Sequence, residues 1–165
     1  MIAAAARRTI ENEELLELMP HRGKMLLISR IIEYDINARF LCSQYDVTES
    51  CLFYDPALEG VPAYACFEFM AQAVSALSGI TGKYNNLPPM IGFILSVTSL
   101  KITRPLFKPG DVIQITVNEE QKLDNVSVFK CEAVVGNIEA VRTKLMVMDI
   151  EDPKEFFPEQ SGAKE

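Results

Sequence analysis

Histidine is almost missing from this chain: His21 is the only one in 165 residues, and the four cysteines, Cys42, Cys51, Cys66 and Cys131, form no CxxC pair. Zinc sites draw their ligands from clustered Cys, His and carboxylates, so no metal is expected. Nothing in the sequence implies an organic cofactor. Long basic runs are absent and the net charge is −7, which argues against nucleic acid as the main partner. The opening "MIAAAARRTI" places its arginines after an alanine run too short for a signal-peptide core. A cytoplasmic protein with reduced thiols is the expectation. A charge-free run of membrane length is missing as well. The most apolar stretch, "GVPAYACFEFMAQAVSALSG" (60–79), holds Glu68 and Gln72 one helical turn apart, carries two serines and has no basic flank. A membrane span is therefore not expected. There is no internal repeat and no low-complexity segment.

What is present suits one soluble globular domain: 48% hydrophobic and 24% charged residues. A chain of this length buries about two-thirds of its unfolded surface. The domain is expected over 1–150, with "EDPKEFFPEQSGAKE" (151–165) as a charged, loosely held tail. "ENEELLEL" (11–18) predicts a short acidic helix stopped by Pro20, its leucines capping a core. "MLLISRIIEYD" (25–35) and "RFLCSQYDV" (39–47) predict a hairpin turning at Asp35-Ile36-Asn37. Residues 48–61 read as irregular. Pro62 then presets the first turn of a long helix over 62–80, ending near Gly79 or Gly82. "KYNNLPP" (83–89) reads as loop. Strands follow at 90–103, 112–123, 126–136 and 139–150. A Pro/Gly turn (104–111) and tight connections at Asp124-Asn125 and Gly136-Asn137 join them.

The predicted fold class is α+β: a curled antiparallel sheet wrapped around one long central helix, the only element apolar enough to fill the concavity. Such a sheet leaves an edge open. A homodimer pairing the 90–103 strand with its symmetry mate would close it.

The long helix raises a chemical question. Glu68 stands among Phe67, Phe69, Met70 and Ala71, and a carboxyl buried there would have its pKa raised. Such an acid pairs, neutralises or does chemistry. The pairing reading has Arg30, Arg104 or a helix cap as partner. Phe67, Phe69 and Tyr64 are core residues by default, and so are the cysteines.

Four stretches resemble the 3-hydroxyacyl-acyl-carrier-protein dehydratases of the hot-dog fold. "MPHRGKMLLISRI" (19–31) is similar to the family's start, with Ser29-Arg30 where the family has aspartate-arginine. "FEFMAQAVSAL" (67–77) resembles its central helix, a glutamate followed by Met-Ala-Gln. "FILSVTSLKITRPLFKPGD" (93–111) resembles the next strand and its Arg-Pro…Pro-Gly-Asp turn, and the closing strands are spaced alike. The resemblance covers about 15–150 and implies elimination of water from a 3-hydroxyacyl chain. That reaction needs a base for the C2 proton, an acid for the departing hydroxyl and donors on the thioester carbonyl. Glu68 fits the acid, and the N–H groups of the helix start near Ala63 and Tyr64 fit the donors, with Pro62 beside them against the substrate.

One departure stands out. Fourteen positions before the glutamate the family carries its catalytic histidine; here the ungapped count lands on Tyr54. An unperturbed tyrosine, with a pKa of about 10, is a poor base near neutrality but donates a hydrogen bond. Tyr54 is thus either proton donor or pocket wall. His21 is either a recruited base or a rim residue. Asp55 reads as a turn residue before a catalytic one. Gln72 is expected to bond backbone across a protomer interface.

Three functions stay open. The first is a divergent dehydratase using Glu68 with His21 or Tyr54. The second is a non-catalytic acyl-binding subunit paired with a catalytic homologue, and the third is an acyl thioesterase using Asp55 or Glu68. The expected substrate is an acyl-carrier-protein or coenzyme A thioester. Arg22, Lys24, Arg104 and Lys108 are candidates for docking an acidic carrier.

Overall fold

From Val112 to Ile150 apolar side chains recur at every second position, the period of strands with one buried face. In the computed structural model, which describes residues 2–88, 90–151 and 154, they form three long strands. These are β7 (Val112–Leu123), β8 (Val126–Val135) and β9 (Ile138–Ile150). Ile113, Ile115 and Val117 of β7, Phe129, Cys131 and Ala133 of β8, and Thr143 and Leu145 of β9 all turn inward and are at most 1% exposed. Before them the chain forms β1 (Ala5–Ala6), α1 (Asn12–Leu16), β2 (Arg30–Asp35), β3 (Phe40–Asp46), β4 (Val61–Pro62), α2 (Cys66–Asn85), β5 (Ile91–Ile102) and β6 (Leu106–Phe107). One antiparallel sheet runs β1-β2-β3-β7-β8-β9-β5, and β4 pairs with β6 apart from it.

The turns follow local chemistry. Asp35 accepts from the backbone N–H of Asn37 and of Ala38, both at 2.9 Å, and closes the β2–β3 hairpin. Helix α2 presents Phe69, Met70, Ala73, Ala76, Leu77 and Ile80, all fully buried, to the sheet. A curled sheet around one long helix is the hot-dog arrangement. Burial pushes the Cys66 and Cys131 thiols up to about 12.

Several boundaries differ from the sequence expectation. Helix α1 stops at Leu16 instead of residue 18, although Leu15 and Leu18 are buried as expected. Helix α2 starts later and runs further than 62–80. Pro62 is in extended geometry (φ −60°, ψ 134°) and belongs to β4, and a 3-10 turn at Ala63–Ala65 leads into the helix. At the other end neither glycine terminates it. A β-carbon at Gly79 would lie 2.1 Å from the Leu18 carbonyl oxygen, so this glycine admits a crossing backbone. The terminating residue is Asn86, in left-handed geometry (φ 54°) with its N–H on the Gly82 carbonyl. Lys83–Asn85, expected as loop, are therefore helical. The strand expected at 25–35 begins only at Arg30, because the Gln72 side chain takes the hydrogen bonds of Met25 and Leu27. Of the tail, only Glu151 and Lys154 fall within the described residues. Among the described residues no helix is long and apolar enough to cross a membrane.

Strand β5 is unlike the others. It pairs with β9 on one side and ends the sheet on the other. Ile91, Ile94, Leu95, Val97, Leu100 and Ile102 along it are each 37–48% exposed.

Candidate functional site

A helix face repeats every three to four residues, so Glu68, Ala71, Gln72, Ser75 and Ser78 share one side of α2. They line a cavity of ≈ 280 Å³ together with Pro20 and His21 and with Met90, Ile91, Gly92, Ile94, Val147 and Asp149. The groove follows the helix for about 15 Å, ten residues at 1.5 Å rise. Its other wall is the open strand β5 and the end of β9. His21 and Glu68 both line it, and the Glu68 charge acts on the imidazole.

Glu68 is half-buried. Its Oε1 accepts from Gln72 Nε2 at 3.2 Å. The premise of full burial fails because the face of α2 holding residue 68 opens into the groove and is not packed into the core. Tyr64 (65% exposed) and Phe67 (38%) lie outside the core as well, whereas Phe69 is buried as expected. The pairing reading also fails: Arg30 bonds Asp46 and Gln44, and Arg104 bonds Asp111 at 2.5 Å.

His21 reaches the groove from the segment between α1 and β2. Desolvation pushes its imidazole below the ordinary histidine range, the Glu68 charge pulls it back up, and Arg22 pushes it further down. Its Nδ1 is buried with no hydrogen-bond partner among the described residues. An imidazole and a carboxyl on one cavity are the groups that proton transfer at one carbon and one oxygen requires.

Gln72 is 1% exposed. Its Oε1 accepts from Leu27 N at 2.7 Å, and its Nε2 donates to the Met25 carbonyl at 2.8 Å as well as to Glu68. These partners lie in its own chain, which corrects the expected contact across an interface. One amide thus clips the 25–27 backbone to the helix and orients Glu68. Gln72→Ala should leave a buried N–H and a buried carbonyl unpaired, costing about 2–4 kcal/mol. The melting temperature should fall by roughly 5–15 °C. A calorimetric scan within a degree of wild type would show that the clip is not structural.

The remaining candidates lie elsewhere. Tyr54 is half-buried against the core and is not among the groove-lining residues. Desolvation and the carboxylates of Glu49, Glu59 and Asp55 push its phenol above the ordinary range. Asp55 accepts from the Ala57 N–H at 2.8 Å, as a turn residue does. Pro62 and Ala63 are buried at the helix start. The Ala63 N–H donates to the Pro105 carbonyl at 2.8 Å and so is not a spare donor. The Ala65 N–H closes the 3-10 turn over Ala63–Ala65 and is not spare either. Tyr64, between them, stands at the first turn, where backbone N–H groups have no partner within the helix. Of the docking candidates, Arg22 donates to the carbonyls of Leu16, Met19 and His21. Lys108 donates to the Leu58 carbonyl at 3.1 Å. Sequence reasoning missed Ser75, Ser78 and Asp149. The serines were legible as the helical continuation of Glu68, whereas Asp149 arrives from β9 and had no local signal. Burial pushes the Asp149 carboxyl up, with the Lys122 and Arg39 charges opposing it.

A family model described as ApeP-like, ApeP dehydratase, matches residues 13–158. A 3-hydroxyacyl-[acyl-carrier-protein] dehydratase FabZ of Lactobacillus helveticus is 30% identical over 148 residues, 88% of this chain and 96% of that one. The dehydratase heterocomplex ApeI:P from Xenorhabdus doucetiae superposes with a TM-score of 0.77 at 20% identity, covering 87% of this chain and 94% of that one. The E. coli PaaI protein from the phenylacetic acid degradation operon follows with a TM-score of 0.56 at 16% identity, covering 73% and 78%.

Proposed function

The chain belongs to the ApeP-like dehydratase family, and we propose that it eliminates water from a 3-hydroxyacyl thioester in the groove between α2 and β5. The supporting observation is that His21 and Glu68 line one cavity while Gln72 donates to the Glu68 carboxyl. Neutral His21 takes the C2 proton as the C2–C3 double bond forms. The C3–O bond breaks, and the proton passes from His21 through the Glu68 carboxyl to the leaving hydroxyl, releasing water and restoring both groups. The carbonyl charge that develops in between suits the N–H group of Tyr64 at the helix start. The acyl chain lies along Ala71, Ser75 and Ser78. Incubating the purified protein with a 3-hydroxyacyl thioester and following the conjugated enoyl product tests this; no product at any pH would count against it.

A second reading is favoured by Tyr54. It stands where the resembling dehydratases have histidine, outside the groove, and the similar Xenorhabdus doucetiae fold was solved as a heterocomplex. Here the chain holds the acyl group or builds the interface while a homologue supplies the base. Restored turnover on adding such a homologue to an inactive preparation would select it.

An acidic carrier meets an acidic chain, so local positive charge has to guide it. With Arg22, Arg104 and Lys108 bonded internally, Lys24 on its exposed 3-10 turn is the cation we assign to docking. Lys24→Glu should slow association with an acyl carrier protein several-fold and blunt its salt dependence. Turnover of the matching coenzyme A thioester should be nearly unchanged. Equal losses on both substrates would place docking elsewhere.

A further inference from the structure

We propose that Arg22 and Gly79 are positioning residues that set the His21 imidazole against Glu68. The proposal rests on the reading of that pair as the reacting groups. His21 sits in the stretch between α1 and β2, which has no strand partner of its own until Arg30. Something else must hold it, and two devices do.

The first is a guanidinium staple. Arg22 Nη1 donates to the carbonyls of Met19 at 2.5 Å and His21 at 2.7 Å, while Nη2 reaches the Leu16 carbonyl at 2.9 Å. One planar fork therefore closes the chain from the end of α1 through His21 itself. A lysine keeps the charge but not the fork, so it cannot bridge three carbonyls in fixed directions. The second is a notch. The Leu18 carbonyl lies where a β-carbon of residue 79 would be, 2.1 Å away, and the Leu18 carbonyl carbon would be 3.0 Å from it. Backbone crosses backbone there, with no flexible side chain to yield. Alanine is the better helix former, so the glycine serves the crossing and not the helix. Leu18 is three residues before His21, so displacing it displaces the imidazole.

Because His21 is the only histidine, its ring resonances in an untagged protein need no assignment. Glu68 and Arg22 are the charged groups acting on it. The test is a double-mutant cycle read as the His21 titration midpoint. In the wild-type background, Glu68→Gln removes a nearby negative charge and should lower the midpoint by roughly 0.3–1 pH unit. In the Arg22→Lys and Gly79→Ala backgrounds the same change should move it by less than half as much. The charge of residue 22 is retained in the lysine variant, so a loss of coupling there reports geometry alone. If Gly79→Ala does not fold, Arg22→Lys decides the question. An undiminished Glu68→Gln shift in the folded variants would overturn the proposal. The kinetic counterpart is a fall in kcat of ten-fold or more with KM little changed, and partial retention in Arg22→Lys relative to Arg22→Ala. A wild-type protein without turnover would remove the dehydration reading, yet the titration cycle would still decide whether these residues position His21.

Discussion

Glu68→Gln is expected to cut dehydration of a 3-hydroxyacyl thioester by about 10²–10⁴-fold, the range for losing a positioned acid, while the fold survives. The carboxyl is half-buried and makes no ion pair among the described residues. The hydrogen bond it accepts from Gln72 at 3.2 Å can be accepted equally by an amide oxygen. Circular dichroism and melting should therefore match wild type, and the loss should lie in kcat. The pH profile supplies a second check. His21 acts as base only when neutral, so the rate rises as pH climbs through its midpoint. Desolvation places that midpoint below the ordinary histidine value of 6.5. Removing the Glu68 charge, which raises it, should move the acid limb of any residual activity to still lower pH. His21→Asn should abolish that limb. Full turnover by the Glu68→Gln protein would end the catalytic assignment. A wild type with nothing to lose would favour the partner-subunit reading.

Much of this was legible in the sequence, and the boundary between legible and hidden follows sequence separation. Period-two alternation at Ile113, Ile115 and Val117 is a local signal, and so is the apolar helix that carries Glu68 and Gln72. The Asp35-Ile36-Asn37 and Asp124-Asn125 turns are equally local. The misread features are set by residues far along the chain. Gly79 reads as a helix stop until Leu18 is seen crossing it. Pro62 reads as a first-turn residue until β4 pairs with Leu106–Phe107 of β6. The segment at 25–29 reads as strand until Gln72, 45 positions beyond Leu27, takes its backbone hydrogen bonds. Glu68 was found for a reason only partly right. It lies in the most apolar stretch of the chain, but the face that holds it opens into the groove. The wall formed by Gly92, Ile94, Val147 and Asp149 had no local signature, because only the pairing of β5 with β9 brings those positions together.

Leu95→Asp with Val97→Asp is expected to turn a dimer into a monomer and to lower turnover with it. Strand β5 ends the sheet, paired with β9 on one side only, and it exposes the apolar side chains of Ile91, Ile94, Leu95, Val97, Leu100 and Ile102. A long apolar edge of this kind invites another strand. Its geometry also limits where that strand can pair. The register with β9 shifts between Ile94 and Ser96 and again between Thr98 and Lys101, and Ser99 adopts a left-handed φ of 54°. The edge is therefore interrupted at Leu95 and near residue 99, and the stretch from Ile91 to Ile94 is the regular one. That stretch includes Ile91, Gly92 and Ile94, which wall the groove. A second β5 pairing there would continue the sheet and cover the flank of the site, so assembly and activity should fall together. Leu95 and Val97 are 48% and 39% exposed and do not line the groove, so their loss should not damage the pocket directly. Two aspartates per protomer, brought close in an antiparallel pair about a two-fold axis, should raise the dissociation constant at least roughly 100-fold, about 3 kcal/mol. Sedimentation should show wild-type dimers at micromolar concentration and variant monomers, and the concentration dependence of melting should vanish in the variant. A wild type that sediments as a monomer would overturn self-pairing. If that monomer then associates with a homologous dehydratase, and Leu95→Asp with Val97→Asp blocks the association, β5 is still the interface and the partner is a different chain.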